Sequence, residues 1–333
     1  MILVTGGCGY IGSHFILQLV SEGKDVVCID NLSNSNLDNL LKINQVSKKE
    51  ITFVKGNVEN VAFILDILKK YKVTSVAHFA GHKSILESIK NPIKYFQNNV
   101  IGSLSLINAM SIAKVNKIIF SSSATVYSER HSLPWNEYLH NDYPKNPYAQ
   151  SKFMVENFLK NLSMTSKEPW SIGVLRYFNP IGCHRSGIIG ENITSTNTNL
   201  IPAIIDVILN KKEKLYLYGN DYDTFDGSCV RDYIHIDDLI LGHQKALDYI
   251  SKQKGYNVWN LGSGRGYSVF EIIREFEKVL KKKIPLEITK RRKGDLPCYW
   301  ADVSKAKNEL NWNAKFELKD MINDVMKQII TLE

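Results

Sequence analysis

The sequence predicts an α/β protein: a doubly wound parallel sheet, then a smaller C-terminal α/β domain for substrate. Three observations carry this. Short apolar runs alternate with amphipathic stretches through the first half of the chain. A glycine-rich segment joins the first run to the first stretch. After about Asn179 the rhythm gives way to segments rich in Gly, Asn, Thr, Tyr and Asp.

The apolar runs Ile2–Val4, Val26–Ile29, Ile51–Val54, Ser75–Phe79, Lys117–Phe120 and Trp170–Leu175 are bounded by turn residues and read as buried strands. Between them Ile11–Val20, Val61–Tyr71 and Pro92–Ala113 have helical spacing. A further helix follows Tyr148, with Met154, Val155, Phe158 and Leu159 on one face. The expected division is a cofactor-binding domain over 1–178 and a substrate-binding domain over 179–333. Loops carried on a rigid scaffold are where recognition sits.

Composition narrows the function classes. At 333 residues, 44% hydrophobic and 23% charged, the chain has the make-up of a globular protein with room for a large core. No apolar run is long enough to span a membrane, and Met1 leads directly into a strand pattern, so a cytoplasmic protein is expected. The five cysteines show neither a C-x-x-C nor a metal spacing, so no metal is expected. Net charge is +8, spread over short lysine runs at helix ends and loops. That sign suits an anionic small substrate, and no motif supports nucleic-acid binding.

Gly6-Gly7-Cys8-Gly9-Tyr10-Ile11-Gly12 follows the first strand and opens the first helix. Glycines there allow a tight turn and close approach of backbone to a pyrophosphate, which the helix N-terminus favours. Asp30 ends the second strand, placed to accept hydrogen bonds from an adenosine ribose. Its charge repels a 2′-phosphate, so the pattern selects NAD over NADP. The sheet is therefore expected to be of Rossmann type. Phe79-Ala80-Gly81 ends the fourth strand with small residues against which a cofactor can lie, and Lys83 follows within reach of a phosphate or ribose. Asn98 and Asn99 fall inside the next helix, where buried amides need a cofactor or backbone partner.

Tyr148 and Lys152 lie four apart at the start of the later helix, so both reach one site. An ammonium group beside a phenol favours the phenolate and is expected to lower its pKa from about 10 towards 7, making Tyr148 a general base. Ser121-Ser122-Ser123 ends the fifth strand upstream. Tyr216 and Tyr218 alternate with Leu215 and Leu217, which is strand spacing; base stacking and plain sheet packing are both open for them.

With these blocks in order, the chain resembles the extended short-chain dehydrogenase/reductase family. The similarity runs from Val4-Thr5-Gly6-Gly7 and Ile29-Asp30-Asn31-Leu32 through His78-Phe79-Ala80-Gly81 and Phe120–Tyr127. It continues in Arg176-Tyr177-Phe178-Asn179-Pro180, Val230–His235 and Arg292–Pro297. The likeness is greatest to members that invert C4 of a UDP-hexose. It implies transient oxidation to a 4-keto sugar by tightly held NAD, with Tyr148 as base, Lys152 on the nicotinamide ribose and Ser123 on the reacting oxygen. It implies cofactor contacts from Gly6, Gly9, Tyr10, Ile11 and Gly12, from Asp30, Asn31, Asn34 and Ser35, and from Asn57 and Val58. Phe79, Ala80, Gly81, Lys83, Asn98, Ser121 and Tyr177 complete that set. For the nucleotide sugar it implicates Phe178, Asn179, Asn199, Leu200, Tyr216, Tyr218, Arg231, Tyr233, Arg292 and Asp295. Tyr299 falls where members of the family limit room beside the sugar C2 substituent. A homodimer through the helices at 92–113 and 148–162 is also implied.

The chain departs from the family at Asn57, where an aspartate is usual, and at Ser128, where a glycine is usual. An asparagine carbonyl still accepts from an adenine amino group, without the charge. Dehydratases of the family place an acid pair after the catalytic hydroxyl residue, whereas Ser123 is followed by Ala124-Thr125. A dehydration needs that acid to protonate the leaving hydroxyl, so simple epimerisation is favoured. A UDP-glucuronate 4-epimerase, a 4,6-dehydratase and a non-catalytic NAD-sensing protein remain the alternatives.

Overall fold

The structure is a computed structural model that describes every residue except 140–142, 192–198, 293–294 and 333. The first part of the chain runs β1 (Ile2–Thr5), α1 (Tyr10–Ser21), β2 (Val26–Asp30), α2 (Asp38–Ser47), β3 (Thr52–Lys55), α3 (Val61–Lys70), β4 (Ser75–His78), α4 (Ile85–Lys90), α5 (Pro92–Tyr95), α6 (Gly102–Ile112), β5 (Lys117–Ser123), α7 (Pro147–Thr165) and β6 (Ser171–Tyr177). It continues β7 (Asn179–Ile181), α8 (Leu200–Ile208), β8 (Leu215–Tyr218), β9 (Val230–His235), α9 (Ile236–Lys252), β10 (Gly255–Leu261), β11 (Gly266–Ser268), α10 (Val269–Leu280), β12 (Leu286–Thr289), β13 (Cys298–Tyr299), α11 (Ser304–Leu310) and α12 (Leu318–Leu332).

Seven strands form one parallel sheet in the order β10-β6-β5-β4-β1-β2-β3. Its central strands are buried on both faces, which is why they read as unbroken apolar runs. One face is sealed by α1, α2, α9 and α11 through residues such as Phe15, Ile43, Leu239 and Leu310. The other is sealed by α3, α6 and α7 through Ile64, Leu106 and Leu159.

The boundary at 178/179 does not divide these layers. Gly255–Leu261 lies beyond it, yet pairs with β6 along its full length as the seventh strand. Helix α9 then packs on α1 and β6. β10 buries Trp259 and Leu261 on one face and Asn260 on the other, each at 0% exposure, so beside β6 it is covered on both faces. The separate unit consists of the small sheet of β7, β9, β11 and β13, the parallel pair β8–β12, and α8, α10 and α12 around Ile204, Ile272, Phe276 and Ile322.

The helix expected over 92–113 is broken in the middle. Phe96–Ile101 is a π-helical turn between α5 and α6. Such a turn rotates the following side chains, and it carries both Asn98 and Asn99.

Candidate active site

Strand order reverses between β4 and β1, so a crevice opens beyond the carboxyl ends of these two strands. The glycine turn lies there. Gly6 has φ +68°, and a Cβ on it would sit 2.6 Å from the Ala80 amide nitrogen. Only glycine lets the β1 and β4 loops approach so closely. Gly9 is the N-cap of α1 and makes no side-chain cap, leaving the first backbone N–H groups of α1 without a side-chain acceptor. The cradle therefore fits a pyrophosphate.

Asp30 is held in place by three hydrogen bonds. Its Oδ2 accepts from Cys8 N at 3.0 Å, and Oδ1 accepts from Leu32 N at 2.9 Å and from Ser35 Oγ at 2.8 Å. The carboxylate thus ties the glycine turn to the loop holding Asn31 and Asn34. Asn57 is exposed and its carbonyl accepts from Glu59 N at 3.3 Å, while Val58 is buried beside it. Tyr10 donates to Gly182 O at 2.6 Å, joining the glycine turn to the smaller unit. Ile11 packs against the core at the start of α1.

The two asparagines separate in role. Asn99 is buried, accepts from His82 N at 2.8 Å, and donates to His82 O and Ser151 Oγ, each at 3.0 Å. It holds the chain after Gly81 against α7. Asn98 is partly exposed on the same turn. Lys83 pairs with Glu191 at 2.8 Å, a contact between the two units that its sequence position does not reveal. Phe79 packs against Phe15 and His243. Tyr177 hydrogen-bonds His243 Nε2 in the same buried cluster.

At the far end of the crevice α7 begins. Asn146 caps it, accepting from Ala149 N at 2.9 Å, with Pro147 in its first turn. Tyr148 therefore sits at the positive end of a helix, half-buried, with the Tyr95 ring edge-on at 6.4 Å. The Ser123 hydroxyl is within hydrogen-bonding reach of its phenol. Ser123 Oγ also accepts from Thr125 N at 3.2 Å and Thr125 Oγ1 at 3.0 Å. One turn along, Lys152 is buried and donates to Ser121 O at 2.8 Å.

The expected depression of the Tyr148 pKa is not produced by these side chains. Burial raises it above the ordinary phenol value, and the Ser123 hydrogen bond opposes this only in part. Burial also lowers Lys152 to about 8, with Glu156 on the next turn pulling the other way. The low-dielectric pocket penalises both charges, so the ammonium's own desolvation offsets the help it gives the phenolate.

This has a measurable consequence for stability. The folded pKa of Lys152 lies below its unfolded value, so at pH 7 the folded state bears the cost of a buried ammonium, ~3 kcal/mol at most. Between about 8 and the unfolded value near 10.5 the folded state holds fewer protons, and stability rises with pH. Lys152→Met is expected to melt above the parent at pH 7, with the gap closing by pH 10. A lower melting point for the variant at pH 7 would contradict this.

On the substrate side an aromatic box adjoins Ser123. It contains Ala124, Tyr127, Trp135, Phe178 and Ala301, with Tyr299 packed on it. The Arg231 guanidinium lies 4.6 Å from the Tyr299 ring centre. Asn179 donates to Asp232 O at 2.7 Å, which links β7 to β9, and Tyr233 is buried on β9. Asn199 is the N-cap of α8 and Leu200 its first residue. Tyr216 and Tyr218 are exposed on one face of β8, with Leu215 and Leu217 buried on the other. The Arg292 guanidinium lies 3.7 Å from the Tyr218 ring centre. Asp295 is exposed, and its charge reaches Arg231. Lys293 and Gly294, between the last two, lie outside the described residues.

A parallel sheet with a glycine cradle at its switch point, and Ser, Tyr and Lys gathered at the ends of β5 and α7, defines the class: a short-chain dehydrogenase/reductase of the extended type. Residues 3–325 match the family model described as GDP-mannose 4,6 dehydratase, and the chain belongs to that family. It is 46% identical over 326 residues to the UDP-glucose 4-epimerase of Yersinia enterocolitica, covering 98% of this chain and 96% of that one. Among solved structures it is similar to the UDP-glucose 4-epimerase of Stenotrophomonas maltophila with bound NAD and formylated UDP-arabinopyranose (TM-score 0.96, 38% identity, 99% and 98% of the two chains covered). It is also similar to that of Bifidobacterium longum in complex with NAD+ and UDP (TM-score 0.94, 39% identity, 99% and 98% covered).

Proposed function

We propose that the chain is an NAD-dependent UDP-glucose 4-epimerase that interconverts UDP-glucose and UDP-galactose. The observation that carries this is the Ser123–Tyr148–Lys152 set at the cofactor crevice, with no acid following Ser123. The turn after Ser123 is Ala124–Val126, and its one polar side chain, Thr125, is bonded back to Ser123. The relatives with the same name, and their NAD and UDP complexes, support the reading.

NAD, when bound, would supply the chemistry: its oxidised form would accept hydride and its reduced form would return it. Tyr148 takes the C4 hydroxyl proton as the C4 hydrogen leaves, and Ser123 holds the same oxygen. Lys152 keeps a positive charge beside the developing phenolate. In the return half Tyr148 would give that proton back to the same oxygen. One proton-transfer residue serves both halves, so no second acid is needed. The part of the chain from 179 on, apart from α9 and β10, holds the nucleotide. Arg231 and Arg292 bind the pyrophosphate oxygens, since a guanidinium fork grips two at once. Tyr218, beside Arg292, fits the uracil better than Tyr216, which has only Lys214 as its cation neighbour. Tyr299 screens the C2 substituent.

The test is incubation with UDP-galactose without added NAD. UDP-glucose is the expected product. A 4-keto-6-deoxy sugar would indicate a dehydratase, and no turnover would indicate a sensor.

The homodimer belongs to the same reading. Ile93 is 79% exposed and Ile101 53%, and Met154 and Phe158 are exposed on α7. Apolar residues on neighbouring helices form a patch that a second copy would cover. Ile101→Asp with Phe158→Asp is expected to halve the mass seen by light scattering; a parent already monomeric at micromolar concentration would refute this.

Among the described residues no helix is long and apolar enough to cross a membrane.

A further inference from the structure

Trp135 carries no assigned role, yet the wall of the sugar site is built on it. Its ring lies 5.3 Å from that of Tyr299, centroid to centroid, and within 1° of parallel. That is an offset stack, the preferred geometry for two aromatic faces. Trp135 is buried, whereas Tyr299 is partly exposed. The fixed partner is therefore Trp135, and the side chain it steadies is Tyr299.

The segment holding Trp135 is itself fixed. Its amide donates to Trp300 O at 3.0 Å, and its carbonyl accepts from Asp302 N at 2.7 Å. The Asn260 side chain donates to the same carbonyl at 2.8 Å and accepts from Tyr127 OH at 2.7 Å. Asn260 N donates to the buried carboxylate of Glu137 at 2.7 Å. These bonds bind four pieces of chain into one wall: the turn after Ser123, the stretch 131–137, β10 at Asn260, and the segment that follows Tyr299. Tyr127, Trp135, Glu137 and Asn260 are all buried, so the arrangement is costly to disturb.

We infer that Trp135 is a positioning residue for sugar specificity, acting through the orientation of Tyr299. This rests on the reading of Tyr299 as the screen at C2. A partly exposed tyrosine has two rotatable torsions and can swing away from a bulky substituent. Stacking on a buried indole removes that freedom, so an N-acetyl group meets a ring that cannot retreat. Trp135 touches no reacting atom, so its effect appears in discrimination and not in the chemistry itself.

The experiment measures kcat/KM for UDP-glucose and UDP-N-acetylglucosamine and reports their ratio, in which any general loss of folded protein cancels. Trp135→Leu removes the aromatic plane while keeping an apolar side chain, and Trp135→Phe keeps a plane. Trp135→Leu is expected to shift the ratio towards the N-acetyl sugar by about tenfold, the scale of discrimination that steric fit provides. Trp135→Phe is expected to stay close to the parent. Tyr299→Ala tests the underlying reading separately and should shift the ratio at least as far. In the Tyr299→Ala background, Trp135→Leu should add nothing. A shift in Tyr299→Ala without one in Trp135→Leu would overturn the role of Trp135 alone. No shift in Tyr299→Ala would overturn the screen itself, and the role of Trp135 with it.

Discussion

Tyr148→Phe is expected to keep its fold and its NAD but to lose roughly 10²–10⁴-fold in kcat, the usual contribution of a positioned proton-transfer group. The phenol ring packs edge-on to Tyr95 and sits in the capped first turn of α7, and phenylalanine preserves both. What disappears is the hydroxyl within reach of Ser123. No other titratable side chain on the first turns of α7 can stand in, because Lys152 is bonded to the Ser121 carbonyl. Three measurements separate the cases: kcat with UDP-galactose, thermal unfolding, and the nicotinamide retained after gel filtration. A rate within a few-fold of the parent would remove Tyr148 from the proton path.

Much of this site is legible in the sequence because its signals are local. The glycine turn needs small residues at fixed offsets, and the close approach of Gly6 to Ala80 shows why. Strands buried on two faces advertise themselves as apolar runs, so six of the seven were visible in order. The seventh, β10, was hidden because its partner β6 ends 78 residues before it begins (255 − 177). Its apolar run resembles any other, and pairing across such a distance leaves no local mark. The Tyr148 pKa is not legible in the sequence for a related reason. Spacing placed Lys152 beside Tyr148, but the depth at which both sit depends on residues from other elements. Asn99, Trp135 and Asn260 were likewise missed or left open: each is an ordinary polar or aromatic residue until its distant partners are known.

Glu156→Gln should destabilise the protein by ~3–5 kcal/mol, the usual result of removing one partner of a buried ion pair. Glu156 and Arg176 have side chains only 3% and 6% exposed. Arg176 Nε and Nη2 donate to the two carboxylate oxygens at 3.1 and 2.6 Å, and Ser122 Oγ donates to the first of them. The third nitrogen, Nη1, is buried without a hydrogen bond, and the guanidinium lies 4.7 Å from the Tyr127 ring centre. A glutamine keeps one acceptor but turns an N–H₂ group towards a cation that cannot lose its proton. Denaturant unfolding reads the loss as a fall in midpoint at unchanged slope. Replacing both partners, as Glu156→Leu with Arg176→Met, should recover most of it, since the pair's benefit barely exceeds the cost of desolvating two charges. A single variant within 1 kcal/mol of the parent would contradict the geometry. The pair also bears on Lys152, because the Glu156 carboxylate is what holds the pKa of that buried ammonium up. Neutralising it lets Lys152 lose its proton at lower pH. In Glu156→Gln the alkaline limb of kcat should therefore move towards neutrality, an effect that loss of stability alone would not produce.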